Sequence, residues 1–225
     1  ERLLTPPGVI GQLRLPDGTL LGARPGSDLK LETIVGNLGK NVLVLGAGPI
    51  GNLVAQSAKG QGAKSVMITD LSDYRLALAK QCGVDYCINP KEHDLSIAVS
   101  SAFGTDKADL ILECVGVNAT MQQAIKNARK GTDIIVVGVF GDKALIDLGL
   151  VQDRELRLIG TLMYQQKDYE RAVALIEQGK IKLKPLITNY FEFKDYIKAY
   201  EYITEKKDRA MKIIINIGEK RNEIV

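Results

Sequence analysis

The sequence has no tryptophan, a single histidine (His93) and only three cysteines, Cys82, Cys87 and Cys114, in 225 residues. An odd number of thiols with no C-x-x-C pair does not make a disulfide framework and points to a reducing, cytoplasmic setting. The same scarcity leaves no metal-ligand spacing, so no metal-binding residue is expected. Aromatic residues make up 5% of the chain against 22 glycines, a balance that suits an α/β protein better than an all-β one. No apolar run approaches the length of a membrane span, and no secretory signal is visible. Neither sign of charge dominates. The formal net charge of +3 comes from interspersed lysines and acids, which argues against nucleic acid or a membrane surface as partner.

What the chain does have is 45% apolar residues, enough for one ordinary domain with an appendage or two small ones. Residues 1–27 hold four of the seven prolines, and Leu13–Leu15 and Thr19–Leu21 flank a Pro16-Asp17-Gly18 turn that predicts a hairpin. Asp28–Leu38 reads as a short helix closed by Gly39. The first residue is Glu1 rather than methionine, so a processed or excised piece of a longer protein is expected.

From Asn41 short apolar runs alternate with helical patterns. Strands are predicted at Val42–Leu45, Ser65–Thr69, Tyr86–Ile88, Asp109–Val115, Asp133–Val139 and Leu156–Leu162. Helices fall between them at Ile50–Lys59, Tyr74–Gln81, Leu95–Phe103 and Thr120–Arg129. Such alternation implies parallel strands joined by crossover helices, a doubly wound α/β sheet of about six strands with helices on both faces and short additions at either end. Helices at Tyr169–Gln178 and Asp195–Lys206, a strand at Met211–Ile217 and a polar tail at Glu219–Val225 follow. The expected divisions are residues 1–30, 31–184 and 185–225.

The text VLVLGAGPIG carries the clearest chemistry. Gly46-x-Gly48-x-x-Gly51 follows a strand and opens a helix. Gly46 permits the tight turn, Gly48 lets the backbone approach a pyrophosphate, and Gly51 lets helix pack on strand. Pro49 suits the first helical turn, and with Ile50 it completes a helix N-terminus able to receive phosphates. Asp70 ends the next strand 19 residues past Gly51, where a Rossmann dinucleotide site places an acid for the ribose hydroxyls. A carboxylate there repels a 2′-phosphate, so NAD is expected over NADP. Methyltransferases that bind S-adenosylmethionine also place an acid after the second strand; the third glycine and the strand count favour the dinucleotide.

With these motifs in order, the chain resembles the coenzyme domain of the zinc-type medium-chain alcohol and polyol dehydrogenases, the sorbitol and threonine dehydrogenase-like branch. The resemblance runs from about Asp28 to Ile217. It takes in GKNVLVLGAGPIGNLVAQSAK, the acid–arginine pattern from Asp70 to Ala79, ADLILECVG, KGTDIIVVGVFG, ELRLIGT, DYERAVALIEQGKIKLKPLIT and MKIIINI. It implies that Asp70 meets the ribose and that Arg75 lies along the adenosine. It implies that Val115 and Gly116 touch the cofactor, that Val137, Gly138 and Val139 lie beside the nicotinamide, and that Thr161 and Met163 hold its carboxamide. It also implies a polyol or alcohol substrate, a homo-oligomer, and a C-terminal segment from about Pro185 that returns to a catalytic lobe.

The family's chemistry needs a zinc site, yet the 40 residues before Asn41 contain neither cysteine nor histidine. His93 reads as an exposed residue near a helix start and Cys114 as core. Two Tyr-x-x-x-Lys matches, Tyr190 with Lys194 and Tyr202 with Lys206, read as chance. No catalytic residue is named. The expected function is NAD(H) binding as part of a longer dehydrogenase, inactive alone; the alternatives are an NAD(H)-sensing module without catalysis and a zinc-independent enzyme.

Overall fold

The computed structural model describes residues 11–14, 20–23 and 39–217. The Pro16-Asp17-Gly18 turn, the helix expected over Asp28–Leu38 and the tail Glu219–Val225 lie outside the described residues. Gly11–Arg14 (β1) and Leu20–Ala23 (β2) pair antiparallel, the pairing expected of a hairpin.

Six parallel strands form the central sheet: Asn41–Leu45 (β3), Ser65–Thr69 (β4), Tyr86–Ile88 (β5), Ala108–Glu113 (β6), Ala128–Val136 (β7) and Arg157–Gly160 (β8). Their order is β5-β4-β3-β6-β7-β8. The order reverses between β3 and β6, the place where open α/β sheets bind ligands beyond the carboxyl ends of their strands.

Both faces of the sheet are covered, and the strand residues divide between them with a period of two. Leu43, Leu45, Met67, Ile111 and Ile134 face one way, against Leu95–Phe103 (α3) and Asn118–Asn127 (α4). Val42, Val44, Val66, Ile68, Leu110 and Leu112 face the other, against Pro49–Gly60 (α1) and Asp73–Gln81 (α2). Alternate residues entering two apolar layers explain why these strands read as unbroken hydrophobic runs. Side chains fix where the helices start. Ser72 Oγ accepts from Arg75 N at α2, and Asp94 Oδ1 accepts from Ile97 N at 2.9 Å at α3.

Among the described residues the predicted elements hold, with shifted ends. The helix expected to reach Arg129 stops at Asn127, and β7 begins at Ala128. Tertiary pairing overrides the helical pattern here: Arg129 bridges to Asp109, and Thr132 Oγ1 donates to Ala108 O at 2.8 Å. Gly131, at φ +75°, lies within β7 where the register against β6 shifts. β6 ends at Glu113 and β7 at Val136, so Cys114, Val115 and Val137–Val139 stand in the loops above the sheet.

Three further elements precede the C-terminal unit. Leu148–Asp153 (α5) is too short to show a period and was not anticipated. Gln166–Glu177 (α6) is closed at its start by a capping box between Gln165 and Asp168 and packs against α1. After it, Ile187–Glu192 (β9) and Lys212–Asn216 (β10) form a separate parallel pair joined by Tyr196–Lys206 (α7). β9 was not anticipated as a strand. Leu186 and Met211 anchor this unit on Cys82 beside α2.

Ile111 is fully buried at the centre of β6. Ile111→Ala is expected to lower unfolding free energy by about 3 kcal/mol, read as a lower urea midpoint at unchanged m-value. An unchanged midpoint would show that β6 is not at the core.

Candidate functional site

The loop from Gly46 to Gly51 stands at the carboxyl end of β3, directly over the point where the strand order reverses. It is held in register by Gly46 N donating to Thr69 O at 2.8 Å and by Cys114 N donating to Leu45 O at 2.9 Å. Two of its glycines are required by the fold itself. Gly46 has φ +98°, and a Cβ on Gly51 would lie 1.8 Å from Gly46 O. α1 therefore approaches β3 closely only because both side chains are missing.

Gly48 is different. It is the N-cap of α1, with φ −61° and ψ −179°, a backbone that any residue adopts. Among the described residues a Cβ there would meet nothing nearer than Arg75 Nη1 at 4.0 Å. No side chain caps the helix, and Pro49 follows in the first turn. The N-terminal end of α1, with its partial positive charge, thus faces an open approach in which a side chain is absent although the protein has room for one. Ile50 stands beside it, 57% exposed.

Asp70 closes the other side of the loop. Its Oδ2 accepts from Ala47 N at 2.8 Å and its Oδ1 from Ser72 N at 2.9 Å. The same carboxyl that was expected to meet a ribose also ties the glycine loop to β4. Arg75 Nη1 stands 3.9 Å from Asp70 Oδ2. The C-terminal unit reaches this spot as well: Arg75 Nε donates to Asp208 O at 3.0 Å, and Ser72 Oγ donates to Asp208 Oδ2 at 2.5 Å. The Ser72 hydroxyl, with Arg75 and Arg209 nearby, holds the Asp208 carboxyl below its ordinary range.

On the β6–β7 side, Val115 Cγ2 lies 2.6 Å from where a Gly46 Cβ would stand. Gly116 and Val139 are in direct contact, a Gly116 Cβ falling 2.4 Å from Val139 O. Val137 N and Gly138 N both donate to Glu113 O, at 2.8 and 2.9 Å. The Val139 side chain is 85% exposed above this wall. Thr161 follows β8, its N–H donating to Val136 O at 3.1 Å, and its buried Oγ1 has no hydrogen-bond partner among the described residues. Met163, two residues on, has φ +65°. The structure thus joins the glycine loop, Asp70, Arg75, Val115, Gly116 and Val137–Val139 through direct contacts and places Thr161 and Met163 one strand farther out.

Sequence reasoning missed Glu113. It is fully buried, and its Oε1 accepts from Val115 N and Gly116 N, both at 2.9 Å, and from Thr120 Oγ1 at 2.7 Å. The available signal was an acid closing the apolar run ADLIL, a place where a carboxyl must find donors.

The remaining reactive groups are elsewhere or quenched. Burial, with the neighbouring Glu113, pushes the Cys114 thiol up to about 12, and burial takes Cys87 to about 11, so both stay protonated near neutrality. His93 is exposed. Among the described residues no three His, Cys, Asp or Glu side chains gather as a metal site. The two Tyr-x-x-x-Lys pairs fall on the β9–α7 segment, where Lys206 Nζ lies 5.9 Å from the Tyr202 ring.

Comparison with known proteins agrees with this geometry. The chain is 34% identical over 183 residues to sorbitol dehydrogenase 1 of Saccharomyces cerevisiae, covering 79% of this chain and 51% of that protein. A solved Escherichia coli short chain alcohol dehydrogenase complexed with NADH superposes with a TM-score of 0.72 at 25% identity, over 82% of this chain and 57% of that one. A Sinorhizobium meliloti protein solved with NADP superposes at 0.67 with 27% identity, over 75% and 49%. The chain spans about half the length of the curated relatives it matches. The family model described as zinc-binding dehydrogenase matches residues 49–178, from the first turn of α1 to the end of α6. That match covers more than half of the sequence, and the chain belongs to the zinc-binding dehydrogenase family, of the medium-chain alcohol and polyol type.

Proposed function

We propose that this chain is the NAD(H)-binding part of a zinc-dependent dehydrogenase that moves hydride between NAD and the secondary alcohol of a polyol or related alcohol. The observation that carries the reading is Gly48, a glycine that the fold does not need at a helix N-terminus that no described side chain caps. In this reading Gly46, Gly48, Pro49, Ile50 and Gly51 hold the pyrophosphate. Asp70 takes the ribose hydroxyls and Arg75 flanks the adenosine. Val115, Gly116, Val137, Gly138 and Val139 line the nicotinamide, with Thr161 and Met163 at its carboxamide. The bound nicotinamide supplies a hydride acceptor or donor. The chain's own residues bind and orient it and keep water from one face.

The described residues do not fit a zinc site. In this reading its ligands come from sequence outside this chain. Residues 31–184 make up the cofactor unit, and 185–225 belong with the substrate lobe. Among the described residues the edge strand β8 has one sheet partner and carries a partly exposed Leu158, which supports pairing with a second copy. No described helix is long and apolar enough to cross a membrane. The three free cysteines support a reducing, cytoplasmic location.

Three outcomes are expected. Gly48→Ala should leave the thermal midpoint unchanged or slightly higher, because its backbone accepts alanine, while NADH affinity measured by fluorescence titration falls about tenfold or more. Unchanged NADH affinity would remove the main support. NADPH should bind the unaltered chain about tenfold or more weakly than NADH, and Asp70→Ser should narrow that gap; equal affinities at the outset count against an NAD preference. The native protein, isolated from its source, should show an intact mass above 24.6 kDa, bound zinc and a dimer by sedimentation. A monomer near that mass without zinc points instead to an NAD(H)-sensing module.

A further inference from the structure

The two halves of the sheet begin alike, a strand followed by a loop and a helix, and they end differently. At the first, the N-terminus of α1 is open. At the second, the cap of α4 is Val117, which makes no side-chain bond, and the backbone N–H groups just before it are already taken. Val115 N and Gly116 N both converge on Glu113 Oε1 at 2.9 Å, with Gly116 at φ +83°. Successive N–H groups converging in this way form a nest that elsewhere receives an anion from solution. Here the nest is filled from below by the protein's own side chain. In this reading the pyrophosphate takes the start of α1, and the β6–β7 half presents a shaped wall.

Glu113 fixes that wall at three points. Its side chain holds Val115 and Gly116, and Val115 Cγ2 in turn fills the space beside Gly46. Its main-chain carbonyl accepts from Val137 N and Gly138 N. Its Oε2 is buried with no hydrogen-bond partner among the described residues, only 2.6 Å from where a Gly138 Cβ would stand. One residue thus sets the distance between the loop after β6 and the turn after β7, across which the second half of a dinucleotide must lie.

We propose that Glu113 is a positioning residue for the nicotinamide half of the bound dinucleotide, acting through Val115, Gly116 and the Val137–Val139 turn. This rests on the reading that the glycine loop holds NAD(H). Among the described residues Glu113 makes no hydrogen bond to Asp70 or Arg75, which stand on the adenosine side, so its loss should separate the two halves of the ligand.

The test compares NADH with ADP, which carries the adenosine and pyrophosphate alone, on the full chain. Glu113→Gln keeps the shape and an acceptor oxygen but puts an amide nitrogen where the unpartnered Oε2 stands beside Gly138. NADH affinity is expected to fall about tenfold while ADP affinity stays within about twofold. Thr120→Val removes one donor from Oε1 and leaves the carboxyl in place. It is the milder variant if Glu113→Gln does not fold, and should shift NADH alone by about threefold. Equal losses for NADH and ADP would assign Glu113 a general structural role and overturn the proposal, as would unchanged NADH binding in the variants. An unaltered chain that binds ADP or NADH not at all removes the cofactor reading itself, and this inference with it.

Discussion

The contact between Gly51 and the carbonyl of Gly46 is the constraint on which the site depends. A methyl group at Gly51 would stand 1.8 Å from that oxygen, so α1 can lie this close to β3 only with hydrogen there. The close approach brings the start of the helix to the point between β3 and β6 where the strand order reverses. From that position the loop before α1 is joined to the end of β4 through Asp70 and meets the loop after β6 at Val115. A helix displaced outward by a side chain would still cover the sheet, but its positive end would no longer stand at the switch point.

Around this contact the protein uses acidic side chains to hold backbone N–H groups that no strand or helix would otherwise satisfy. Asp70 takes Ala47 and Ser72, and Glu113 takes Val115 and Gly116. Asp85 takes Val66, and Asp109 takes Asn41. Two of these four, Asp70 and Glu113, stand at the carboxyl ends of neighbouring halves of the sheet, where the loops above the strands must keep a fixed shape while one face stays open. A hydrogen bond from backbone to a carboxyl is stronger than one to a neutral acceptor and does not require the loop to fold back on itself. The loops are thus stiffened from below, and their upper surface is left to a ligand.

The C-terminal unit of β9, α7 and β10 is attached to the same neighbourhood. Asp208, at the turn before β10, accepts from Ser72 and Arg75, and Leu186 and Met211 pack on Cys82. Its exposed face carries Tyr190, Phe193, Tyr196, Ile197 and Tyr200. The part of the chain that the proposed reading gives to the substrate lobe is therefore anchored on the adenosine side of the cofactor unit, away from the wall that Glu113 supports.

Local sequence determined a large share of this protein. The spacing of Gly46, Gly48 and Gly51, the acid at Asp70 and the six apolar runs specified a doubly wound sheet and the loop at the end of its first strand, because each of those signals is read within one strand and the turn after it. Tertiary structure decided the rest. Where α4 gives way to β7 depends on Arg129 meeting Asp109 and Thr132 meeting Ala108, partners 20 and 24 residues away. That β9 is a strand depends on β10, and that Asp208 touches Ser72 depends on a separation of 136 residues. Glu113 shows the division most clearly. Its neighbours Val115 and Gly116 are adjacent in sequence, but its buried position, its unpartnered oxygen against Gly138 and its hold on the β7 turn exist only once two parallel strands have been brought side by side. Sequence periodicity records which face a residue takes, and burial in the assembled sheet decides what a polar group there must do.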